Sequence, residues 1–160
     1  MKISIVTAVF NRASTLEAAI RSVQTQSYRN VEHIIQDGGS SDGTLDIARR
    51  LATESTSIVS EPDSGIYDAI NRGIRRATGD VIGLMHSDDV FANPHVLSRV
   101  AERFDDPNID GVYGDLQYVS AKDVGYVVRY WRSGEYHRNN LYFGWMPPHP
   151  TLYLRRQTFE

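Results

Sequence analysis

One stretch decides the fold of this chain: Val81-Ile82-Gly83-Leu84-Met85-His86-Ser87-Asp88-Asp89. Its first five residues are apolar or small, which predicts a short strand buried on both faces. The sequence then turns polar and ends in two adjacent carboxylates, Asp88 and Asp89. These residues alone leave two interpretations open, a solvated loop with a helix cap or the acidic part of a functional site.

The chain before this stretch alternates between strand and helix patterns. The predicted order is strand 3–10, helix 14–26, strand 31–36, helix 44–51, strand 57–60, helix 66–77 and strand 81–85. Ser14 and Glu17 have the spacing of a capping box, and Gly79 is expected to end the third helix in a left-handed conformation. The alternation predicts an α/β fold, with a mostly parallel central sheet and helices on both faces, as in Rossmann-like proteins.

The rest of the chain is less regular. A fourth helix is predicted to start at Asn93 as N-cap with Pro94 in its first turn. Residues 109–120 and 124–131 are interpreted as strands, antiparallel to each other, and residues 151–155 as one more strand. We expect a single domain over residues 1–160, of which 1–115 form one half and 116–160 begin a second.

Composition narrows the class of protein. A chain of 160 residues with 41% hydrophobic and 23% charged residues is typical of one soluble domain. The formal net charge of −3 argues against nucleic-acid binding, which needs a basic surface. Cysteine is absent, so no disulfide or thiolate chemistry is expected. No apolar run reaches membrane-spanning length, and a cytoplasmic location is expected.

Five polar side chains follow the ends of predicted parallel strands. In an open parallel sheet, ligands bind outside the carboxyl ends of the strands. This topology predicts one shared edge for Asn11, Asp37, Asp63, Asp88 and Asp89.

Several carboxylates at one edge need a counter-charge. Two like charges about 5 Å apart repel by roughly 3 kcal/mol at an effective dielectric near 20. Mg²⁺ and Mn²⁺ prefer oxygen ligands, and one or two carboxylates plus substrate phosphates commonly hold Mg²⁺. Asp88 and Asp89 fit such a site, whereas Asp37 can accept hydrogen bonds from a base or a ribose. The Gly38-Gly39 pair allows a flat ring to approach the backbone.

Four motifs then match a known family. They are ISIVTAVFN at residues 3–11, DGGSSDGT at 37–44, SEPDSGIYDAINRGI at 60–74 and SDD at 87–89. In this order and at these strand ends, they resemble the N-terminal part of the GT-A fold glycosyltransferases of family 2. The likeness is close over residues 1–115 and looser beyond. Ser87 stands where the family's acidic motif often has its first carboxylate.

The resemblance implies transfer of a sugar from a nucleotide-diphosphate-sugar donor to an acceptor hydroxyl, dependent on Mn²⁺ or Mg²⁺ and with inversion. It implies that Asp89 and Asp88 hold the metal. It assigns donor binding to Thr7, Ala8, Val9, Asn11, Asp37, Asp63, Gly65 and Asp88. The partners it implies are the donor and a sugar or lipid-linked sugar acceptor, in surface polysaccharide or glycan synthesis, with peripheral membrane association.

The catalytic base is unassigned. In the family it tends to lie beyond the strand predicted at 151–155, and the chain ends at Glu160, so we expect an N-terminal fragment. Asp115 and His149 are the nearest alternatives. Trp131 and the aromatic residues of 142–145 line an acceptor groove in one interpretation, and belong to the core or to a partner surface in another.

Two other functions are compatible with an α/β fold of this kind. A dinucleotide-dependent oxidoreductase would need a glycine-rich G-x-G-x-x-G turn after the first strand, and residues 9–13 lack it. A non-catalytic nucleotide-sugar-binding module remains an alternative. A zinc site is not expected, because the five histidines include no pair four residues apart. Asp42 is interpreted as a helix cap rather than a ligand.

Overall fold

The structure is a computed structural model that describes residues 1–159. Its regular elements are β1 (Ile3–Val9), α1 (Leu16–Gln24), β2 (Val31–Asp37), α2 (Thr44–Leu51), β3 (Thr56–Ser60), α3 (Ile66–Arg76), β4 (Val81–Leu84), α4 (Val96–Arg103), β5 (Gly111–Val112), β6 (Leu116–Ser120), β7 (Asp123–Trp131) and β8 (Tyr153–Arg155). Short 3₁₀ turns occupy Arg138–Phe143, His149–Thr151 and Arg156–Phe159.

A six-stranded sheet with the order β3-β2-β1-β4-β8-β5 forms the centre. The strands β1 to β4 are mutually parallel, because a helix connects each to the next, and β8 runs antiparallel to both β4 and β5. The strands β6 and β7 form a separate antiparallel hairpin. The predicted α/β fold with a mostly parallel sheet is therefore confirmed.

Helices cover both faces of this sheet. Every residue of β1 is buried. Its side chains point alternately to the two faces, as in any strand. On one face Val9 packs with Leu16 and Ile20 of α1, and on the other Ala8 packs with Ile70 of α3. The hydrophobic core therefore lies on both faces of the sheet, and α1 and α3 pack against opposite faces of β1.

Three of the predicted helix boundaries are wrong. Helix α1 begins at Leu16 with Thr15 as N-cap, and no side-chain hydrogen bond caps it. The Glu17 carboxylate, which the capping box would need, pairs with Arg21 and Arg50 instead. The predicted Ser14 capping box is absent. Helix α4 starts at Val96 with His95 as N-cap instead of Asn93.

The third error concerns Gly79. Helix α3 ends at Arg76 and its C-cap, Ala77, is extended, so Gly79 ends no helix. A Cβ at Gly79 would lie 2.5 Å from the Ser4 hydroxyl oxygen and 2.8 Å from the Lys2 carbonyl oxygen. The residue is therefore required for a close approach to the beginning of β1.

After residue 104 the chain forms shorter and more numerous strands than the sequence predicts. The strand expected at 109–120 divides into β5 and β6, which belong to different sheets. The last predicted strand is present as β8, and the ring of its Tyr153 lies against Gly83, where no Cβ would fit. Within the described residues, no helix has both the length and the apolar character needed to cross a membrane.

Candidate active site

The carboxyl ends of the parallel strands form the edge that carries the candidate site. Strand register places Val9 beside Asp37 and Val6 beside Leu84, so β1, β2 and β4 end on the same side. Neighbouring strands lie about 5 Å apart, so β2 and β4, which flank β1, are separated by about 10 Å. The acidic turns that follow β2 and β4 therefore share one edge of the sheet.

The carboxylate of Asp37 is fully buried and organises the turn after β2. Its oxygens accept hydrogen bonds from the amides of Gly39 and Ser40, at 3.2 and 3.0 Å. The hydroxyls of Ser40 and Ser60 donate to it at 2.5 and 2.6 Å. These four hydrogen bonds hold the turn after β2 in place, and the contact of Asp37 with a base stays a prediction.

Asn11 links the turns after β1 and β2. It is the one non-glycine residue of positive φ among residues 1–159, at 51°, a conformation that asparagine tolerates well. Its amide donates to the Ser40 hydroxyl at 2.8 Å, and its side-chain oxygen accepts the Ser41 amide at 3.0 Å. The predicted proximity of these two turns is confirmed by these contacts.

Asp42 acts within the turn before α2. Its carboxylate accepts the amides of Thr44 and Ala13, at 3.0 and 3.1 Å, and also the Thr44 hydroxyl. These hydrogen bonds, that of the Thr44 hydroxyl first, lower the pKa of Asp42. The prediction of Asp42 as a helix cap is wrong, since Gly43 is the N-cap of α2, but these contacts give Asp42 a role within the turn before the helix.

Asp63 lies directly against Gly38. A Cβ on Gly38 would be 2.5 Å from the Asp63 Oδ2 atom and 3.4 Å from the Phe10 ring. The other oxygen of Asp63 accepts the Gly65 amide at 2.8 Å, and Gly65 has a φ of 116° as N-cap of α3. The turns after β1, β2 and β3 therefore meet around Gly38.

The side chains of Thr7, Ala8 and Val9 are buried in the sheet. Thr7 shares a 2.9 Å hydrogen bond with the ring of His33, and Val9 packs among the residues of α1. Thr7 is fully buried, and Ala8 and Val9 are almost so, and none of the three therefore offers its side chain to a ligand at the edge. Phe10 is different, since it is 58% exposed at the edge.

The two carboxylates after β4 have different surroundings. Asp88 is exposed, whereas Asp89 is half-buried. Burial raises the pKa of Asp89, the charge of Asp88 raises it further, and His86 opposes both. Within residues 1–159, nothing donates a hydrogen bond to the Asp89 carboxylate. A desolvated carboxylate without a donor is stabilised by a cation.

A cleft of about 340 Å³ opens beside Asp89. His86 and His149 form one wall, with their Nε2 atoms 2.8 Å apart and their rings nearly perpendicular. Tyr118 and Trp131, at the base of the hairpin, form another. Burial lowers the pKa of His149 and the charge of His86 lowers it further, while Asp89 acts in the opposite direction.

Asp115, the other candidate base, is occupied elsewhere. It accepts the Ser133 amide at 2.9 Å and the Tyr130 hydroxyl at 2.8 Å, contacts that fasten the base of the hairpin. These hydrogen bonds, led by that of Ser133, lower the pKa of Asp115. Asp115 does not line the cleft beside Asp89, and both of its oxygens already accept hydrogen bonds, whereas His149 lines that cleft. The geometry therefore favours His149 as the base.

The residues present fit a divalent cation only in part. Among the described residues, no three histidine, cysteine or carboxylate side chains are grouped so that they could hold a metal ion alone. Mg²⁺ and Mn²⁺ sites that use nucleotide substrates need few protein ligands, because phosphate oxygens and waters complete them. The unpaired Asp89 carboxylate with Asp88 beside it fits that type of site.

Two residues of this edge are not among the site residues that the sequence predicts. The sequence pattern gives Phe10 only as the end of a strand, although an aromatic residue next to a turn of glycines is a signal for ring stacking. It gives His86 only as part of the polar turn after β4. Its pairing with His149 depends on β8 lying next to β4, which no local pattern reveals.

Comparison with known proteins decides the family. Residues 4–158 match the profile of the family described as Glycosyl transferase family 2. The chain belongs to this family. An uncharacterized glycosyltransferase of Mycobacterium tuberculosis is 39% identical over 101 residues, which cover 62% of this chain and 38% of the relative. A PGL/p-HBAD biosynthesis glycosyltransferase of Mycobacterium bovis is 38% identical over 117 residues, covering 71% and 46%.

Solved structures agree with the fold. The mannosyltransferase PcManGT from Pyrobaculum calidifontis, in complex with GDP-Man and Mn²⁺, has a TM-score of 0.66 at 23% identity, over 78% of this chain and 37% of its own. Glucosyl-3-phosphoglycerate synthase from Mycobacterium tuberculosis, with Mn²⁺, UDP and phosphoglyceric acid, has a TM-score of 0.67 at 20% identity, over 98% and 56%. The chain spans less than half the length of the curated relatives named above.

Proposed function

We propose that this glycosyltransferase family 2 protein moves a sugar from a nucleotide-diphosphate-sugar donor to an acceptor hydroxyl. One observation carries the proposal: a half-buried Asp89 carboxylate, to which none of residues 1–159 donates a hydrogen bond, lies in a cleft at the edge that also holds the Asp37 turn. The relatives with GDP-Man and Mn²⁺, or with UDP and Mn²⁺, support it.

The donor's nucleoside would lie at the junction of the first three turns. The exposed Phe10 ring offers a stacking surface for a flat base, and Gly38, which has no side chain, lets the Asp63 carboxylate lie close to that ring. Asn11 and Gly65 border this space. The end of β1 at residues 7–9 would lie beneath this space, and Asp37 would hold the turn after β2 in shape.

Asp89 and Asp88 would hold Mn²⁺ or Mg²⁺ together with the donor's diphosphate, and Asp88 can also contact the ribose. When bound, the ion would supply Lewis-acid stabilisation of the departing diphosphate. The protein's own contribution is to hold the Asp89 carboxylate partly desolvated, where its attraction to a cation is stronger than in water.

The chemical step would be a single in-line displacement at the anomeric carbon, with inversion. The acceptor oxygen forms a bond to that carbon as the bond to the diphosphate breaks, and the acceptor's proton moves to a base. His149 is the candidate base on this chain, since its lowered pKa favours the neutral imidazole in the cleft. A sugar or lipid-linked sugar acceptor, in surface polysaccharide or glycan synthesis, fits this reaction.

The test is release of nucleoside diphosphate from UDP-glucose, UDP-GlcNAc and GDP-mannose, each with Mn²⁺ and with a panel of simple glycoside acceptors. Release that stops with chelator and in Asp89→Asn supports the proposal, and NMR of the product gives the anomeric configuration. Donor binding without turnover in every mixture would favour the non-catalytic nucleotide-sugar-binding module. Absence of donor binding would contradict both.

A further inference from the structure

Residues 116–146, named here the aromatic segment, expose an unusual amount of apolar surface. Of the seventeen large apolar side chains exposed among residues 1–159, eleven belong to this segment. They are Tyr118, Val124, Tyr126, Val127, Val128, Tyr130, Tyr136, Leu141, Tyr142, Phe143 and Met146. Exposed apolar side chains concentrated in one part of a chain favour an interaction surface there.

The hairpin in this segment has little support of its own. The strands β6 and β7 pair only with each other, and every residue of β7 except Trp131 is exposed. Both faces of the hairpin are therefore open to solvent. A two-stranded hairpin is marginally stable in water, so an apolar one gains from a surface that covers it.

Charge is divided unevenly along the chain. The aromatic segment has four basic residues, Lys122, Arg129, Arg132 and Arg138, against two acidic ones, Asp123 and Glu135. Residues 1–115 have eleven basic and seventeen acidic residues. The formal charge is thus +2 in the segment and −6 in 1–115. The apolar surface coincides with the positive part of an otherwise negative molecule.

We propose that the aromatic segment docks on an anionic lipid bilayer surface. Aromatic rings favour the bilayer interface, and basic side chains are attracted to anionic headgroups. The negative charge of 1–115 would be repelled by the same surface and so would orient the molecule. Tyr118 and Trp131 also line the cleft that holds Asp89, so docking would bring the cleft close to the bilayer. Docking does not depend on the proposed sugar transfer.

The test is sedimentation of the chain with sucrose-loaded vesicles, either pure phosphatidylcholine or phosphatidylcholine with 30% phosphatidylglycerol. We expect the partition coefficient to be about tenfold higher for the anionic vesicles and to fall with added salt. Tyr142→Ser with Phe143→Ser should lower it about tenfold, because the two side chains are 80% and 88% exposed. Lys122→Glu with Arg138→Glu should do the same.

Matched controls separate docking from general charge and hydrophobicity. Arg49→Glu with Arg99→Glu makes the same charge change on exposed positions of α2 and α4. Ile66→Ser with Tyr67→Ser removes exposed apolar side chains from α3. Both should keep the wild-type partition, and circular dichroism should show every variant folded.

Two results would overturn the proposal. One is equal partition into the two kinds of vesicle. The other is a concentration-dependent dimer that Tyr142→Ser with Phe143→Ser abolishes in the absence of lipid, because a second copy would then cover the segment.

Discussion

The Nε2 atoms of His86 and His149 lie 2.8 Å apart and join the end of β4 to the turn before β8. One ring must donate and the other accept, since neutral imidazole has one donor and one acceptor nitrogen. Because β8 pairs with β4, a residue distant in sequence is brought to the wall of the cleft beside Asp89. Through His86, the candidate base His149 is joined to the turn that carries the candidate metal ligands Asp88 and Asp89.

His149→Ala should lower turnover by about a hundredfold while leaving affinity for the nucleotide diphosphate near the wild-type value, as expected for loss of a general base. Initial rates and calorimetric binding measure the two effects. The matched control is His137→Ala, an exposed histidine that does not line the cleft. Turnover equal to that of the wild type in His149→Ala would remove this residue from the mechanism.

Gly38→Ala should weaken donor binding about tenfold, because the added Cβ would occupy the position of the Asp63 carboxylate. Gly114 is the matched control, since a Cβ there meets nothing within 4 Å. Calorimetric titration of both variants with UDP and Mn²⁺ gives the comparison. Equal affinities in the two variants would show that the contact between Gly38 and Asp63 does not matter for the donor.

Gly73→Ala should destabilise the protein by about 1–3 kcal/mol, although alanine is the better helix former. The residue lies in α3 against Val6 of β1, too close for a Cβ without movement of the sheet or the helix. Alanine gains about 1 kcal/mol in helix propensity over glycine. Because the clash with Val6 costs more than this, the net effect on the free energy of unfolding is destabilising. Urea unfolding measures it, and a more stable Gly73→Ala variant would contradict the packing described here.

Stability should fall between pH 7 and pH 5 because of His33. Burial lowers the pKa of its imidazole to about 4, and its Nδ1 atom has no hydrogen-bond partner. The unfolded chain, with a histidine pKa near 6.5, binds more protons than the folded chain between these values. The contribution of the neutral His33 side chain to the free energy of unfolding is complete above pH 6.5 and is lost as the pH falls toward 4.

The His33→Gln variant lacks this titrating group, so comparing its unfolding free energy with that of the wild type isolates the effect of His33. The difference in unfolding free energy between wild type and His33→Gln should shift by about 2 kcal/mol, against the wild type, from pH 7 to pH 5. Comparison of the two proteins cancels the titration of other groups. A difference that stays constant over this range would show that His33 can be protonated in the folded protein at little cost.

The sheet and the acidic edge could be predicted from sequence because both depend on local patterns. The apolar run of β1 and the polar turns after each strand give the parallel order, and that order alone places Asp37 and Asp89 on one side. Two acidic turns become neighbours through topology, without any need to know their detailed contacts.

Details that depend on distant contacts could not be predicted. The Ser14 capping box is absent because the Glu17 carboxylate pairs with Arg21 and with Arg50 of α2 instead. Gly79 serves a close approach to Ser4, seventy-five residues earlier. The sequence also does not reveal that β7 is exposed to solvent, because its apolar residues resemble those of a strand in the core.

The most direct measurement is calorimetric titration with UDP, with Mn²⁺ or with chelator, for the wild type and for Asp89→Asn. We predict that Mn²⁺ strengthens UDP binding to the wild type at least about tenfold, and that Asp89→Asn keeps the fold but loses this dependence. Equal UDP affinity with and without Mn²⁺, or an unchanged metal dependence in Asp89→Asn, would contradict the account.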